Sequence, residues 1–216
     1  MSESGDGFGQ SVRGYLDLVA SDAPAPGGGS VAGVAAALAA ALGEMVCRLS
    51  GERDRATGAR HLPDALRGPL ARLGAAREQA LRLATADESA YAAYRRAAAL
   101  PKASDDERRA RTVAVQAALH TATEVPLALA ETCLAIARDL LPVAEHGTRH
   151  AQSDTLAGAM LAETAARAAL LNVRGNAAML RDGDEADRCL ARADALEREI
   201  SRDAEAIAVI VRHRTG

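Results

Sequence analysis

The stretch Pro24-Ala-Pro-Gly-Gly-Gly-Ser-Val-Ala-Gly-Val-Ala-Ala-Ala-Leu-Ala-Ala-Ala-Leu42 decides the fold of this chain. Its two prolines favour an extended entry, because the residue before a proline is kept out of the helical region. Three glycines follow, and Ser30 is then a suitable N-cap for a helix of small residues that we expect to end near Leu49. Such small side chains let neighbouring helices approach closely, so the rest of the chain is expected to pack around this segment.

The glycine loop itself permits two interpretations. Backbone N–H groups of Gly27, Gly28 and Gly29 at the start of a helix form a ready site for an anion or an oxyanion. The loop is neither a P-loop nor a dinucleotide loop, because no Gly-Lys-Ser/Thr follows it and no strand precedes it. The alternative is a flexible turn that only connects two helices.

Composition favours helices and excludes several classes of partner. The chain holds 53 alanines, and aromatic residues make up 2%. Alanine has the highest helix propensity and little preference for strands. A net charge of −3 argues against nucleic acid binding. The apolar segment 31–42 is too short to span a bilayer, and three isolated cysteines fit a reducing compartment better than a disulfide frame or a metal site. We therefore expect a cytoplasmic protein without membrane contact.

The pattern of caps and apolar positions predicts one all-α domain over residues 1–216, an antiparallel bundle of about six to eight helices. Residues 1–9 are polar and glycine-rich and are predicted to be disordered. A capping box, Ser104 to Glu107, opens one helix, and Pro126 is expected to kink or break it. Residues 141–153 are predicted to be a loop or a broken helix end. A short helix is predicted after Ser11. Another starts or kinks at Gly68-Pro69 and ends at Leu100. The last two predicted helices span 155–181 and run from the Asp182-Gly183-Asp184 turn to Val211.

Asp87 is the most informative single residue. Leu83, Tyr91 and Tyr94 lie four before, four after and seven after it, so the carboxylate falls within an apolar helical stripe. Burial there would raise its pKa toward the range that suits a general acid or base. A structural carboxylate paired with a neighbouring helix explains the same pattern.

Other polar residues are less specific. Asn172 and Asn176 share one face of an apolar helix and need partners, either a facing helix or a ligand. Asp154 at a helix start is explained equally well as an N-cap. Lys102 follows a helix end, where a cation complements the helix dipole.

Taken together, several motifs resemble the cyclodeaminase/methenyltetrahydrofolate cyclohydrolase family, which includes the C-terminal part of formimidoyltransferase-cyclodeaminases. The similarity covers Ser11 to the C-terminus. The motifs are Pro24-Ala-Pro-Gly-Gly-Gly-Ser30, Asp87-Glu-Ser-Ala-Tyr91, Leu100-Pro-Lys102, Val125-Pro126, Ser153-Asp154 and Asn172-Val-Arg-Gly-Asn176.

The resemblance implies a helical homodimer with folate pockets at or near the dimer interface, a tetrahydrofolate derivative as substrate and no tightly bound cofactor. It assigns proton transfer to Asp87. It implies a substrate-binding group of residues that contact the pterin, the bridge or the glutamate tail: Pro26, Gly27, Gly28, Gly29, Ser30, Lys102, His150, Asp154, Asn172 and Asn176.

One loop departs from the family pattern. Two asparagines expected before Ser153 are replaced by Thr148 and His150. His150 is then either a new proton-transfer group or a surface residue. If the two asparagines of the family contact the pterin, the substrate of this protein differs from that of its relatives.

These features predict hydrolysis of 5,10-methenyltetrahydrofolate to 10-formyltetrahydrofolate. The chain shows no formimidoyltransferase segment, which favours a free-standing cyclohydrolase over a cyclodeaminase that releases ammonia. The remaining alternative is a non-catalytic helical module that binds a folate-like ligand or a partner protein.

Overall fold

The computed structural model describes residues 11–53 and 60–215, and over these ranges the protein is a bundle of long helices. The prediction of an all-α fold with six to eight helices is confirmed. The predicted disorder of residues 1–9 falls outside the described ranges. The elements are α1 (Val12–Val19), α2 (Gly28–Leu49), the short antiparallel pair β1 (Glu52–Arg53) and β2 (Arg60–His61), α3 (Asp64–Ala98), α4 (Asp105–His146), a 3-10 turn (Arg149–Ala151), α5 (Gln152–Ala177) and α6 (Gly183–Thr215).

Helix α2 packs against α3, α4 and α5. Its small residues bring the backbones close: a Cβ added to Gly33 would lie 2.6 Å from the Cβ of Ala84 on α3. The helix is longer than the apolar segment 31–42, and its length and composition would allow it to cross a membrane. In this fold 61% of its most apolar window is buried, as in the core helix of a helical bundle.

The predicted capping box is confirmed. Ser104 Oγ accepts from the Glu107 N–H at 3.2 Å, and the Glu107 carboxylate accepts from the Ser104 N–H at 2.9 Å. The predicted cap of α2 is wrong. Gly27 occupies that position, and Ser30 lies in the first helical turn, because its hydroxyl donates to a side chain of α3 instead of capping its own helix.

Several predicted boundaries are also wrong. Helix α4 continues through both Pro126 and Pro142 to His146, so most of the predicted break is helical. Only residues 147–151 separate α4 from α5, and α5 begins at Gln152, three residues before the predicted start. Asp154 therefore lies inside the first turn and is not the N-cap. Pro69 likewise sits inside α3, which begins at Asp64, so the predicted helix start at Gly68-Pro69 is wrong.

Candidate active site

A cavity of about 370 Å³ opens where the N-terminus of α2 meets α3, α4 and the C-terminal part of α5. This size is typical of a site for a small organic ligand. Its lining residues are Pro24, Ala25, Gly27, Gly28, Gly29, Asp87, Glu88, Ala90, Tyr91, Tyr94, Ala122, Asn172, Asn176 and Met179. The structure thus brings together the glycine loop, the Asp87 motif and both asparagines, which are far apart in sequence.

Asp87 projects from α3 to the start of α2. Its carboxylate accepts a hydrogen bond from the backbone N–H of Ser30. A Cβ added to Gly29 would overlap both carboxylate oxygens, so only glycine permits this approach. A negative charge at a helix N-terminus is favourable, since it satisfies a free N–H group and complements the dipole. Asp87 therefore caps α2 from a neighbouring helix and still faces the cavity.

The same surroundings shift the protonation of Asp87. Burial raises its pKa above the ordinary value, and the adjacent negative charge of Glu88 raises it further. The hydrogen bond from Ser30 acts in the opposite direction. A carboxyl with a raised pKa is better suited to exchanging protons near neutral pH than an exposed one.

A hydrogen-bond chain fixes the second carboxylate of the cavity. Ser30 Oγ donates to Glu88 Oε1 at 2.7 Å, and the Tyr15 hydroxyl lies 3.0 Å from the same Ser30 oxygen. Because the only hydroxyl hydrogen of Ser30 is used on Glu88, Tyr15 is the donor in the other contact. Burial raises the pKa of Tyr15, which keeps this donor protonated.

The two asparagines have different environments. Asn176 Nδ2 donates to the carbonyl oxygen of Ala122 on α4 at 2.6 Å, so this side chain joins α5 to α4. The same hydrogen bond fixes the orientation of the Asn176 amide. Asn172 lies one turn earlier on the same wall of the cavity. Two amides beside a carboxylate can orient a ring that carries both donors and acceptors.

The charge of the cavity is one-sided. Asp87 and Glu88 supply two carboxylates, and no lysine, arginine or histidine is among the described lining residues. The Ser30 N–H, which follows the Gly27, Gly28 and Gly29 N–H groups of the predicted anion site, already binds the protein's own carboxylate. The cavity is therefore built to accept positive charge.

Five predicted site residues are not among the residues that line this cavity. Pro26 is half-buried in the loop beside it, and Lys102 is exposed beyond the C-terminal end of α3. His150 is exposed and Asp154 is half-buried near the start of α5. Asp154 lies 18 residues from Asn172, which is about 27 Å along a straight helix. Ser30, by contrast, reaches the site through Glu88.

Four residues that line the cavity were not among the predicted site residues: Glu88, Tyr91, Tyr94 and Met179. Tyr91 and Tyr94 belong to the apolar stripe that includes Asp87, and in the structure both residues line the cavity. Glu88 lies within the motif Asp87-Glu-Ser-Ala-Tyr91 but was given no role, because a glutamate on a helix is usually a solvated surface residue.

Comparison with known proteins agrees with this arrangement. The family model described as formiminotransferase-cyclodeaminase matches residues 11–195. A methenyltetrahydrofolate cyclohydrolase of Methylorubrum extorquens is 35% identical over 80% of this chain and 82% of its own length. A formimidoyltransferase-cyclodeaminase of Gallus gallus is 37% identical over 75% of this chain, which spans only 29% of that relative. The crystal structure of formiminotetrahydrofolate cyclodeaminase from Thermotoga maritima superposes with a TM-score of 0.79 at 25% identity, over 94% of this chain and 96% of that one.

Proposed function

The chain belongs to the formiminotransferase-cyclodeaminase family, and we propose that it hydrolyses 5,10-methenyltetrahydrofolate to 10-formyltetrahydrofolate. The observation that carries this proposal is the cavity in which Asp87, Asn172 and Asn176 converge. The cyclohydrolase relative supports it, because the match covers most of that protein's length.

Hydrolysis needs a group that moves protons between water and a nitrogen, and Asp87 is suited to that role. Water adds to the bridging carbon, and ionised Asp87 takes the proton that the water releases. The resulting tetrahedral carbon then loses its bond to N5 while Asp87 returns that proton to N5. The hydroxyl proton leaves to solvent as the C=O bond of the formyl group forms on N10. The net change consumes one water and releases one proton.

The second candidate is formimidoyltetrahydrofolate cyclodeamination, which the Thermotoga neighbour's name favours. Here N10 attacks the formimidoyl carbon, ammonia leaves, and the 5,10-methenyl bridge forms. This reaction passes through a tetrahedral carbon at the same position. The same acid–base residue therefore serves either direction of chemistry on the bridge.

We also propose that the protein acts as a homodimer through the outer face of α2 and α5. Val31, Leu38 and Met45 of α2 are exposed at seven-residue intervals, and Met160 and Leu171 are exposed on α5. Exposed apolar side chains in such a row are typical of an interface. A two-fold axis across α2 would make the face self-complementary.

This dimer offers a role for the predicted residues that lie far from the cavity. Thr148 N–H donates to Ser50 Oγ at the C-terminal end of α2, which fixes the loop of His150 and Asp154 at the end opposite to Asp87. Two antiparallel copies of α2 would bring this loop of one subunit toward the cavity of the other. Lys102 remains a candidate for the anionic glutamate tail.

The experiment that tests the function uses the near-ultraviolet absorbance of the methenyl bridge. Loss of that absorbance above the uncatalysed rate shows hydrolysis. Appearance of the absorbance from 5-formimidoyltetrahydrofolate, together with ammonia, shows cyclodeamination. A folded protein that changes neither substrate would contradict both reactions and favour a non-catalytic binding module.

A further inference from the structure

Two carboxylates at consecutive positions of α3, Asp87 and Glu88, face the cavity. Like charges this close repel each other, and Glu88 indeed contributes to the raised pKa of Asp87. Among the described residues of the lining there is no cation to offset them. The part of the ligand that enters this cavity must therefore tolerate, or require, negative surroundings.

Glu88 is held in place before any ligand arrives. Its Oε1 accepts from Ser30 Oγ, and Tyr15 supports the serine in turn. Ser30 is fully buried and belongs to the first turn of α2, so this support comes from a side chain that the protein encloses. A carboxylate that is oriented in advance stabilises a positive charge without the cost of reorganising during binding.

The folates relevant to the proposed function differ in charge at one position. The methenyl bridge is an amidinium cation, and a protonated formimidoyl group carries the same charge. The 10-formyl and 5-formyl compounds carry a neutral amide there, with the same pterin and the same anionic tail. Charge on the bridge is therefore the feature that a pair of carboxylates can distinguish.

We propose that Glu88 is a specificity-determining residue that, together with Asp87, selects folates with a positively charged one-carbon bridge over neutral formyl folates. This inference rests on the proposed function. Hydrolysis removes the positive charge, so the attraction that holds the substrate disappears in the product. The same two carboxylates thus favour substrate binding and product release.

The test compares a cationic and a neutral folate on the same variants. Glu88→Gln keeps the size of the side chain and an oxygen that accepts from Ser30, but removes the charge. We expect KM for 5,10-methenyltetrahydrofolate to rise about tenfold, the loss typical of a hydrogen bond to a charged group. The inhibition constant of stable, neutral 5-formyltetrahydrofolate should change by less than about twofold, since a neutral amide gains little from the charge.

Glu205→Gln is the matched control. It removes the same charge from an exposed residue of α6, a helix that contributes no residue to the lining of the cavity. Both constants should stay at their wild-type values. A thermal melt of each variant establishes that it is folded. If Glu88→Gln does not fold, the wild-type protein supplies the answer: added salt should raise KM for the cation by a larger factor than the inhibition constant of 5-formyltetrahydrofolate, because only the shared anionic tail is screened in the second case.

The outcomes separate the two proposals. An equal rise of both constants in Glu88→Gln would assign Glu88 a structural role and overturn its selectivity. Unchanged constants would overturn it as well, and so would a salt effect that is the same for both folates. In each of these cases the wild-type protein still turns over, so the proposed function stands. A wild-type protein without turnover of either cationic substrate overturns both.

Discussion

Gly29 and Asp87 lie so close that the missing side chain of one creates the space for the carboxylate of the other. The contact joins α2 to α3 at the mouth of the cavity and aligns Asp87 with the N–H of Ser30. A glycine at this position is therefore part of the site even though it has no functional group.

Gly29→Ala should displace the Asp87 carboxylate and reduce kcat by about 10²-fold or more, the contribution of a positioned acid or base. Gly183→Ala is the matched control, because a Cβ there would meet no atom within 4 Å and Gly183 does not line the cavity. Steady-state kinetics measure kcat of both variants, and a thermal melt of each establishes that it is folded. Equal kinetics in the two folded variants would show that the loop is only a connection.

Asp87→Asn should lower turnover by about 10²–10⁴-fold, because the amide cannot accept a proton from water. Its side-chain oxygen can still accept from the Ser30 N–H, so the cap of α2 should survive. Affinity for 5-formyltetrahydrofolate should change far less than kcat. Turnover near the wild-type level would reduce Asp87 to a structural cap.

The rate should follow pH through the ionisation of Asp87. Burial, and to a smaller extent Glu88, raise the pKa of Asp87 above 3.8. Because the ionised form is the base, kcat/KM should increase as pH rises through the pKa of Asp87, which forms the acidic limb of the pH profile. Glu88→Gln removes one of the two causes, and the limb should move to lower pH without reaching 3.8. A limb that stays in place in this variant would show that another group controls the rate.

The pKa of Asp87 also has a consequence for stability. Because the native pKa exceeds the unfolded one, the folded protein binds more protons between 3.8 and the native value. The contribution of Asp87 to the free energy of unfolding should therefore be greatest at low pH and decrease as pH rises through that window. Asp87→Asn should remove this decrease, as urea titrations at several pH values would show.

Gly33→Ala should destabilise the bundle by about 1–3 kcal/mol, the usual effect of overpacking. The added Cβ would lie 2.6 Å from the Cβ of Ala84 and 2.9 Å from the carbonyl oxygen of Ala80, and neither can move without shifting α3. Gly175→Ala, which meets no atom within 4 Å, is the comparison. It should be neutral or slightly stabilising, since alanine favours helix. Urea midpoints measure both.

Leu38→Asp should convert the proposed dimer to a monomer. The side chain is 55% exposed in a single subunit, so the substitution should not disturb the fold itself. A buried, unpaired carboxylate in the interface would oppose association. Light scattering at micromolar concentration distinguishes the masses, and a thermal melt confirms folding. A dimeric Leu38→Asp protein would place the interface elsewhere.

The sequence predicted the helices well, because alanine content and capping boxes act locally. The Ser104–Glu107 box needs only four consecutive residues, and the structure confirms it. Ser30 shows the limit of local reasoning. Its hydroxyl was expected to cap its own helix, but Glu88 lies 58 residues away and competes for it, a contact that only the tertiary structure creates.

The candidate site was predicted in part for the same reason. The stripe around Asp87 placed Tyr91 and Tyr94 beside it, and Asn172 and Asn176 were recognised as amides without local partners. Their meeting in one cavity depends on how α3 and α5 pack. The predicted helix over 155–181 already placed Asp154 at the opposite end from Asn172 and Asn176, and only the family resemblance assigned all three to one site.

All three tyrosines of the protein belong to this one region, and the chain contains no tryptophan. Tyr91 and Tyr94 form the cavity wall, and Tyr15 is bonded to the serine behind it. The intrinsic fluorescence of the molecule therefore originates entirely at the site. The methenyl chromophore absorbs at longer wavelength than these phenols and should quench their emission by energy transfer. The unlabelled protein is thus its own optical sensor of occupancy, without a dye or a coupled assay.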